Sequence, residues 1–177
     1  RKSKQARPTV REKWRPPEEG WVKANVDGAM AKVAENGGAG VVFSNHEGAV
    51  LGGVCQLLSP CKEPVRAEIL AVRREALLAE ELNIPRLHIE TDCRELAGKL
   101  QRAEKDLSSL GPLVEEVKHI LSSREEWKIA WVRREDNCAA HLLARKAVTN
   151  ELCTVWLQMP PNFILHVISE KIPGWDE

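Results

Sequence analysis

Three acidic residues lie far apart along the chain, yet each occupies a position that an α/β fold would bring to a shared site. Asp27 ends a strand-like run, Glu68 lies near the start of a helix-like run, and Asp92 ends a second strand-like run. Converging carboxylates repel one another unless a cation lies between them, and hard oxygen ligands favour Mg²⁺ or Mn²⁺. The pattern therefore predicts a divalent-metal site, of the kind that nucleases use.

Each acid also has a simpler explanation. Asp27 and Gly28 form an Asp-Gly pair, which is a common turn signal. Glu68 near a helix start stabilises the positive end of the helix dipole. Asp92 suits the N-cap of the next helix, with Glu95 completing a capping box. These explanations treat each acid singly, whereas a shared site accounts for all three together.

Position distinguishes Glu68 from a second acid on the same helix. Both Glu68 and Glu75 lie on the apolar stripe, where a carboxylate is costly unless it is paired or bound to a metal. Glu68, however, falls in the first predicted turn, where the chain leaves the sheet. The small residues Gly28 and Ala29, which follow Asp27, would let a substrate backbone approach the strand end, so we predict that they bind substrate.

The elements that must position these residues follow from hydrophobic periodicity. Alternation predicts an antiparallel meander, with turns at Gly37-Gly38 and at residues 45–48, followed by two later strands. These strands span residues 21–29, 39–45, 49–57, 86–91 and 127–132. Apolar residues at helical spacing predict helices over 65–83, 93–102, 111–122 and 137–148. The order β-β-β-α-β-α-α-β-α predicts a mixed sheet flanked by helices.

Composition places the chain among ordinary globular proteins. Lys and Arg number 26 and Asp and Glu also number 26, which excludes a surface that binds nucleic acid over its whole extent, but not a local basic stripe. Positive charge is concentrated in residues 1–15, either as a solvated tail or as an arm that contacts phosphates. We predict a basic head or linker at 1–20, one domain at 21–150 and a C-terminal extension at 151–177.

The cysteine pattern and the hydropathy bound the setting. The five cysteines form no CxxC pair and no zinc-ligand spacing, which favours reduced thiols in a nuclear or cytoplasmic protein. No apolar run approaches the roughly 20 residues that span a bilayer, and the first residues resemble no signal peptide. The sequence therefore predicts an intracellular protein without a membrane partner.

Four separated motifs resemble those of ribonuclease H. They are Asn-Val-Asp-Gly-Ala at 25–29, Ala-Glu-x-x-Ala at 67–71, Glu-Thr-Asp at 90–92, and the segment 131–144, which is similar to a Val-x-Arg-x-x-Asn-x-x-Ala-Asp-x-Leu-Ala signature. The resemblance is closest to the ribonuclease H-like domains of plant retroelements and their host-encoded relatives, often called reverse transcriptase-like. It runs from about Trp21 to Val148.

The resemblance implies a ribonuclease H-like α/β fold with a five-stranded mixed sheet, three strands antiparallel and two parallel. It implies an endonuclease that cleaves the RNA strand of RNA/DNA hybrids with two Mg²⁺ or Mn²⁺ ions, leaving 5′-phosphate and 3′-hydroxyl ends. The motif positions imply that the catalytic and metal-binding residues are Asp27, Glu68, Asp92 and His141, with Asp27 bridging the ions. The implied protein is a monomer, with a fused or neighbouring reverse transcriptase domain as a partner.

His141 departs from the family pattern, because most relatives have Asp there. Imidazole favours softer metals than Mg²⁺ and can transfer protons, so His141 is expected beside the second metal or near the leaving group, unless it is simply a helix residue. Asn137, one turn earlier, and Arg134 are expected to contact the nucleic-acid backbone. No basic insertion is apparent between Gln101 and Gly111, so hybrid binding would rest on Arg134 and its neighbours, the head or a fused domain.

Three functions remain open from the sequence. The first is the hybrid-specific endonuclease. The second is a domesticated module of the same fold, weak or inactive as an enzyme, that binds nucleic acid or protein. The third is another nuclease of this fold, such as an exonuclease or a transposase core. His141 separates the first two, and internal cleavage of a hybrid would exclude the third.

Overall fold

A computed structural model describes residues 14–169, over which the chain forms six strands and five α-helices. The strands are β1 (Val22–Met30), β2 (Gly37–Ser44), β3 (Val50–Leu58), β4 (Leu87–Thr91), β5 (Trp127–Trp131) and β6 (Cys153–Leu157). The helices are α1 (Pro64–Glu81), α2 (Arg94–Gln101), α3 (Gly111–Ser122), α4 (Cys138–Asn150) and α5 (Asn162–Ser169), and a 3₁₀ turn at Arg134–Asp136 precedes α4. The bounds of β1 to β5 and α1 to α4 lie close to those predicted from periodicity, whereas β6 and α5 were not predicted.

All six strands belong to one mixed sheet in the order β5-β4-β1-β2-β3-β6. The pairs β1–β2, β2–β3 and β3–β6 are antiparallel, whereas β1–β4 and β4–β5 are parallel. The predicted meander followed by two parallel strands is therefore confirmed. This order places β1 at the centre of the sheet, between β4 and β2.

The predicted number of strands is wrong by one. Residues 153–157, which the sequence analysis assigned to a C-terminal extension, form β6 and pair antiparallel with β3. The indole of Trp156 lies over Gly53, where an added Cβ would come within 2.3 Å of the ring. The local pattern does not indicate this strand, because it is five residues long and lies just before the Pro160-Pro161 pair.

Helices cover both faces of the sheet. On one face, α1, α2 and α3 enclose a core that contains Val26, Phe43 and Ile69. On the other face, α4 packs across β1, β2 and β3, over a second core that includes Leu143, Trp156 and Ile164. The site residues of β1 therefore lie between a helix on one face and a helix on the other.

Two glycines of β2 allow α4 to approach the sheet closely. A Cβ at Gly38 would lie 2.3 Å from the carbonyl oxygen of Ala144, and one at Gly40 would lie 2.1 Å from that of Ala140. The prediction that Gly37-Gly38 forms a turn is therefore wrong, because both residues lie within β2. The lack of a side chain here serves helix packing, not chain reversal.

The described part of the N-terminal region packs onto the sheet. Trp14 Nε1 donates to Asn25 Oδ1 at 2.9 Å, and the ring of Trp21 stacks on His88 with 4.2 Å between centroids. The basic residues 1–13 lie outside the described residues. Among the helices that are described, none combines the length and the apolar character that crossing a bilayer requires.

Candidate active site

Parallel pairing of β1 and β4 brings two of the acids side by side. Val26 is the register partner of Thr91, the last residue of β4, so Asp27, which lies within β1, comes beside Asp92, which follows β4. The N–H of Cys93, the N-cap residue of α2, donates to Thr91 Oγ1 at 3.1 Å. The capping explanation for Asp92 is therefore wrong, and its carboxylate faces the other acids.

Glu68 reaches the same place from α1 because Gly28 lets the helix approach β1. A Cβ at Gly28 would lie 2.5 Å from the carbonyl carbon of Ala67 and 2.6 Å from the amide nitrogen of Glu68. The Gly28 N–H donates to Glu68 Oε2 at 3.1 Å. Glu68 is the fifth residue of α1, so the prediction that it lies in the first turn is wrong, and with it the helix-dipole explanation.

The three acids form one compact cluster. One ligand oxygen from each of Asp27, Glu68 and Asp92 lies within 4.8 Å of the others, close enough to share a cation. The donor set fits a hard divalent metal, because all three ligands are carboxylate oxygens. The structure therefore brings together the three acids that the sequence singles out.

The electrostatics of the cluster favour bound positive charge. Burial raises the pKa of Asp27, and the neighbouring Asp92 carboxylate raises it further. Burial, followed by the proximity of Asp27, raises the pKa of Glu68 to about 10. Three carboxylates cannot all ionise so close together at neutral pH without a counter-charge, and a divalent cation supplies one.

His141 joins the cluster through a single contact. Its Nδ1 lies 2.7 Å from Asp27 Oδ2, and its side chain is 29% exposed. Among residues 14–169, three side chains have ligand atoms that all lie within 4.8 Å of one another. They are the three carboxylates, and His141 is not one of them. His141 is therefore adjacent to the metal-binding group and is oriented by Asp27, and its role as a metal ligand stays a prediction.

Asn137 is buried, which does not fit its predicted contact with a nucleic-acid backbone. Its Nδ2 donates to the carbonyl oxygen of Val26 at 2.8 Å, and its Oδ1 accepts from Asn25 Nδ2 at 3.0 Å. These bonds attach the start of α4 to β1, one residue before Asp27. The placement makes Asn137 a positioning residue for the Asp27–His141 pair.

The remaining residues predicted to bind substrate are Arg134, Gly28 and Ala29. Arg134 is exposed, and its Nε donates to Asp92 Oδ2 at 3.3 Å, so it is accessible to substrate. Ala29 is buried, and Gly28 serves the approach of α1 to β1. The sequence analysis gave Asn25 no role, although its place on the polar face of β1, two residues before Asp27, is a signal that could have identified it.

Comparison with known proteins adds the family. Residues 25–147 match the family described as Reverse transcriptase-like. The chain belongs to this family. A putative ribonuclease H protein of Arabidopsis thaliana is 30% identical over 163 residues, which cover 91% of this chain and 26% of that protein. This reverse transcriptase-like chain thus spans about a quarter of the length of its curated relative, and the resemblance drawn from the four motifs is confirmed.

Solved ribonucleases H share the fold. LC11-RNase H1, isolated from compost by a metagenomic approach, superposes with a TM-score of 0.66 at 19% identity, covering 75% of this chain and 98% of its own. RNase H1 of the archaeon Halobacterium salinarum gives 0.65 at 19% identity, covering 73% and 98%. LC11-RNase H1 has also been solved in complex with an RNA/DNA hybrid, with a TM-score of 0.61 at 18% identity. The predicted ribonuclease H-like fold is confirmed.

Proposed function

We propose that this protein is a divalent-metal-dependent endonuclease that cleaves the RNA strand of RNA/DNA hybrids. The observation that carries the proposal is the cluster of Asp27, Glu68 and Asp92, whose ligand oxygens lie within 4.8 Å of one another in a chain of the reverse transcriptase-like family. The family match supports the ribonuclease H-like fold, and the three carboxylates would bind the metal that hydrolysis of a phosphodiester requires.

Asp27, Glu68 and Asp92 would hold the Mg²⁺ or Mn²⁺ ions. Bound there, the metal would activate a water molecule, stabilise the leaving oxygen and lead to 5′-phosphate and 3′-hydroxyl products. The protein's own contribution is geometric. Gly28 fixes Glu68 by donating to its carboxylate, and the register of β1 and β4 fixes Asp27 beside Asp92.

His141 would hold or transfer a proton near the leaving group. The contact between His141 Nδ1 and Asp27 Oδ2 fixes the orientation of the imidazole ring and leaves His141 Nε2 for a second contact. The partial exposure of the side chain makes this contact accessible to a substrate. We therefore assign His141 a role in proton transfer, and not a place beside the carboxylates as a metal ligand.

The proposed partners are a nucleic acid and a protein domain. An RNA/DNA hybrid is the substrate, recognised through its shape, its phosphates and its 2′-hydroxyl groups more than through base edges. A reverse transcriptase domain, fused or neighbouring, is the proposed protein partner of a monomeric nuclease domain. We place this activity inside the cell, in the nucleus or the cytoplasm.

The direct test is cleavage of an end-labelled hybrid in Mg²⁺ and in Mn²⁺. We expect products with 5′-phosphate and 3′-hydroxyl ends at internal ribonucleotides, and Asp27→Asn should abolish them. Glu47→Gln is the matched control, because Glu47 is an exposed acid in the turn between β2 and β3. Failure of the parent protein to cleave with either metal would contradict the proposal, and cleavage from strand ends alone would indicate an exonuclease.

The second candidate is a binding module without hydrolytic activity. The observation that favours it is the contact between His141 and Asp27, in which His141 Nδ1 engages Asp27 Oδ2, an oxygen of one of the three clustered acids. If the parent protein binds hybrid tightly but leaves it intact in both metals, this candidate is supported and the endonuclease is not.

A further inference from the structure

An exposed tryptophan lies beside the acid cluster, at the end of β5. The side chain of Trp131 is 40% exposed, and its Nε1 donates to the backbone carbonyl oxygen of Asp92 at 3.2 Å. The guanidinium carbon of Arg94 lies 4.3 Å from the centroid of its ring. The indole therefore holds a guanidinium group next to a residue of the cluster.

The carboxylate of Asp92 holds a second guanidinium group. Arg134 Nε donates to Asp92 Oδ2 at 3.3 Å, while 69% of the Arg134 side chain remains exposed. A guanidinium group carries further N–H donors in a planar fork that matches two oxygens of a phosphate. Arg134 can thus keep its bond to Asp92 and still donate to a second anion.

Arg94 presents its charge to solvent. Its side chain is exposed, and its guanidinium group lies against the face of the Trp131 ring. Within residues 14–169, the ion pair beside the cluster joins Asp92 to Arg134. An aromatic face orders a guanidinium group without neutralising it. The pairing therefore preserves a full positive charge at a fixed position beside the acids.

We infer that Arg94 and Arg134 form a phosphate-binding pair for the backbone of the hybrid, immediately beside the cleavage site, and that Trp131 positions Arg94. The inference rests on the proposed function. It explains how a chain with equal numbers of acidic and basic residues can hold a polyanion, because two ordered guanidinium groups supply local positive charge next to the three carboxylates.

The test is the salt dependence of binding to a fluorescent RNA/DNA hybrid, measured by anisotropy in EDTA so that the hybrid is not hydrolysed. Each phosphate contact contributes close to one unit to the slope of log affinity against log salt concentration. We expect Arg94→Gln and Arg134→Gln each to weaken binding several-fold and to lower the slope by about 1, and the double variant to lower it by about 2.

Two further variants separate positioning from folding. Trp131→Ala should reproduce much of the Arg94→Gln change in slope, because the guanidinium group of Arg94 loses its aromatic contact. Trp131→Phe keeps an aromatic ring and should keep the slope close to that of the parent protein. Arg124→Gln is the matched control. Arg124 lies 5.8 Å from the centroid of Trp127, at the opposite end of β5 from the acids. It should keep the parent slope.

The outcomes distinguish the two proposals. If the parent protein binds hybrid and Arg94→Gln leaves both affinity and slope unchanged, the phosphate-binding pair is overturned and the proposed function stands. If the parent protein does not bind hybrid at any salt concentration, the proposed function is overturned together with this inference. Equal losses in Arg94→Gln and Arg124→Gln would indicate general electrostatics and would also overturn the assignment.

Discussion

Two glutamates lie two helical turns apart on α1, Glu68 partly buried and Glu75 fully buried, and their surroundings differ. Glu68 is surrounded by polar groups, since it accepts from the Gly28 N–H and faces Asp27 and Asp92. Glu75 is 0% exposed, and within the described residues neither of its carboxylate oxygens has a hydrogen-bond partner. Burial raises the pKa of both, that of Glu75 well above its ordinary value.

The difference shows what identifies a site. A raised pKa caused by burial is equally a property of Glu75, which lies on α1 among buried apolar residues such as Val72 and Ala76. Glu68 differs because two other acids converge on it at the end of the central strands. Convergence of several donors therefore carries the functional argument, and an isolated perturbed acid does not.

The largest expected effect comes from the same substitution at the two positions. Glu68→Gln should lower the rate of hybrid cleavage at least about 100-fold, because losing a metal ligand costs more than losing an outer partner of one, which typically costs 10–100-fold. Glu75→Gln should leave the rate within about twofold. Steady-state cleavage assays in Mn²⁺ compare the two, and a Glu75→Gln loss as large as that of Glu68→Gln would break the distinction.

The next effect concerns stability. Glu75→Met removes a buried polar group without a partner and keeps a similar volume, so the free energy of unfolding should rise by about 1–3 kcal/mol. Urea unfolding monitored by tryptophan fluorescence measures this change. Unchanged cleavage by the same variant is the control. A loss of stability would mean that the Glu75 carboxyl group makes a favourable interaction in the folded protein.

The pH dependence of stability follows from the same raised pKa values. Above the ordinary glutamate pKa of 4.5, the unfolded chain loses protons that the folded protein keeps on Glu68 and Glu75. Stability is therefore fully present below that pH and falls as the pH rises, for Glu68 until about 10. The expected slope is up to about 1.4 kcal/mol per pH unit for each carboxyl group.

Unfolding in EDTA between about pH 5 and pH 8 measures this slope. Glu75→Met should remove the share of one carboxyl group. Saturating Mn²⁺ should remove the share of Glu68, together with any share of Asp27, and leave that of Glu75, because the bound cation displaces protons only from the carboxyl groups that bind it. A stability that rises with pH over this window in the metal-free protein would contradict the assignment of both protonated groups.

The smallest expected effect tests the departure at position 141. His141→Asp supplies a hard oxygen ligand in place of imidazole, so affinity for Mg²⁺ should rise several-fold relative to affinity for Mn²⁺. It also places a third like charge near Asp27 and should lower the stability of the metal-free protein. Competition between the two metals checks the ratio, and an unchanged ratio would mean that His141 lies outside the metal shell.

Sequence reasoning recovered the parts of the fold that depend on local pattern. Alternation located the strands of the meander, and the end of β4 located Asp92, because both signals lie within short stretches of chain. Asp27, predicted to end its strand, lies within β1, three residues before Met30. It failed where long-range packing decides. The strand Cys153–Leu157 pairs with the edge of β3, and Gly37 lies within β2 because it pairs with Met30 of β1 and Leu58 of β3.

The candidate site divides in the same way. The identity of the three acids was evident from spacing and family resemblance, but the contacts that hold them were not. Asn137 seemed suited to substrate because it is polar and near the site, whereas the fold buries it between Asn25 and Val26. Whether a polar residue of this region faces solvent depends on how α4 packs against β1, and the local sequence pattern does not indicate that packing.

The most direct test of the shared metal site is Mn²⁺ binding itself, followed by electron paramagnetic resonance or calorimetry in the parent protein and in the two glutamine variants. We expect Glu68→Gln to weaken Mn²⁺ binding at least about tenfold and Glu75→Gln to bind like the parent protein. If Glu68→Gln binds Mn²⁺ as tightly as the parent protein does, the three carboxylates do not form one site.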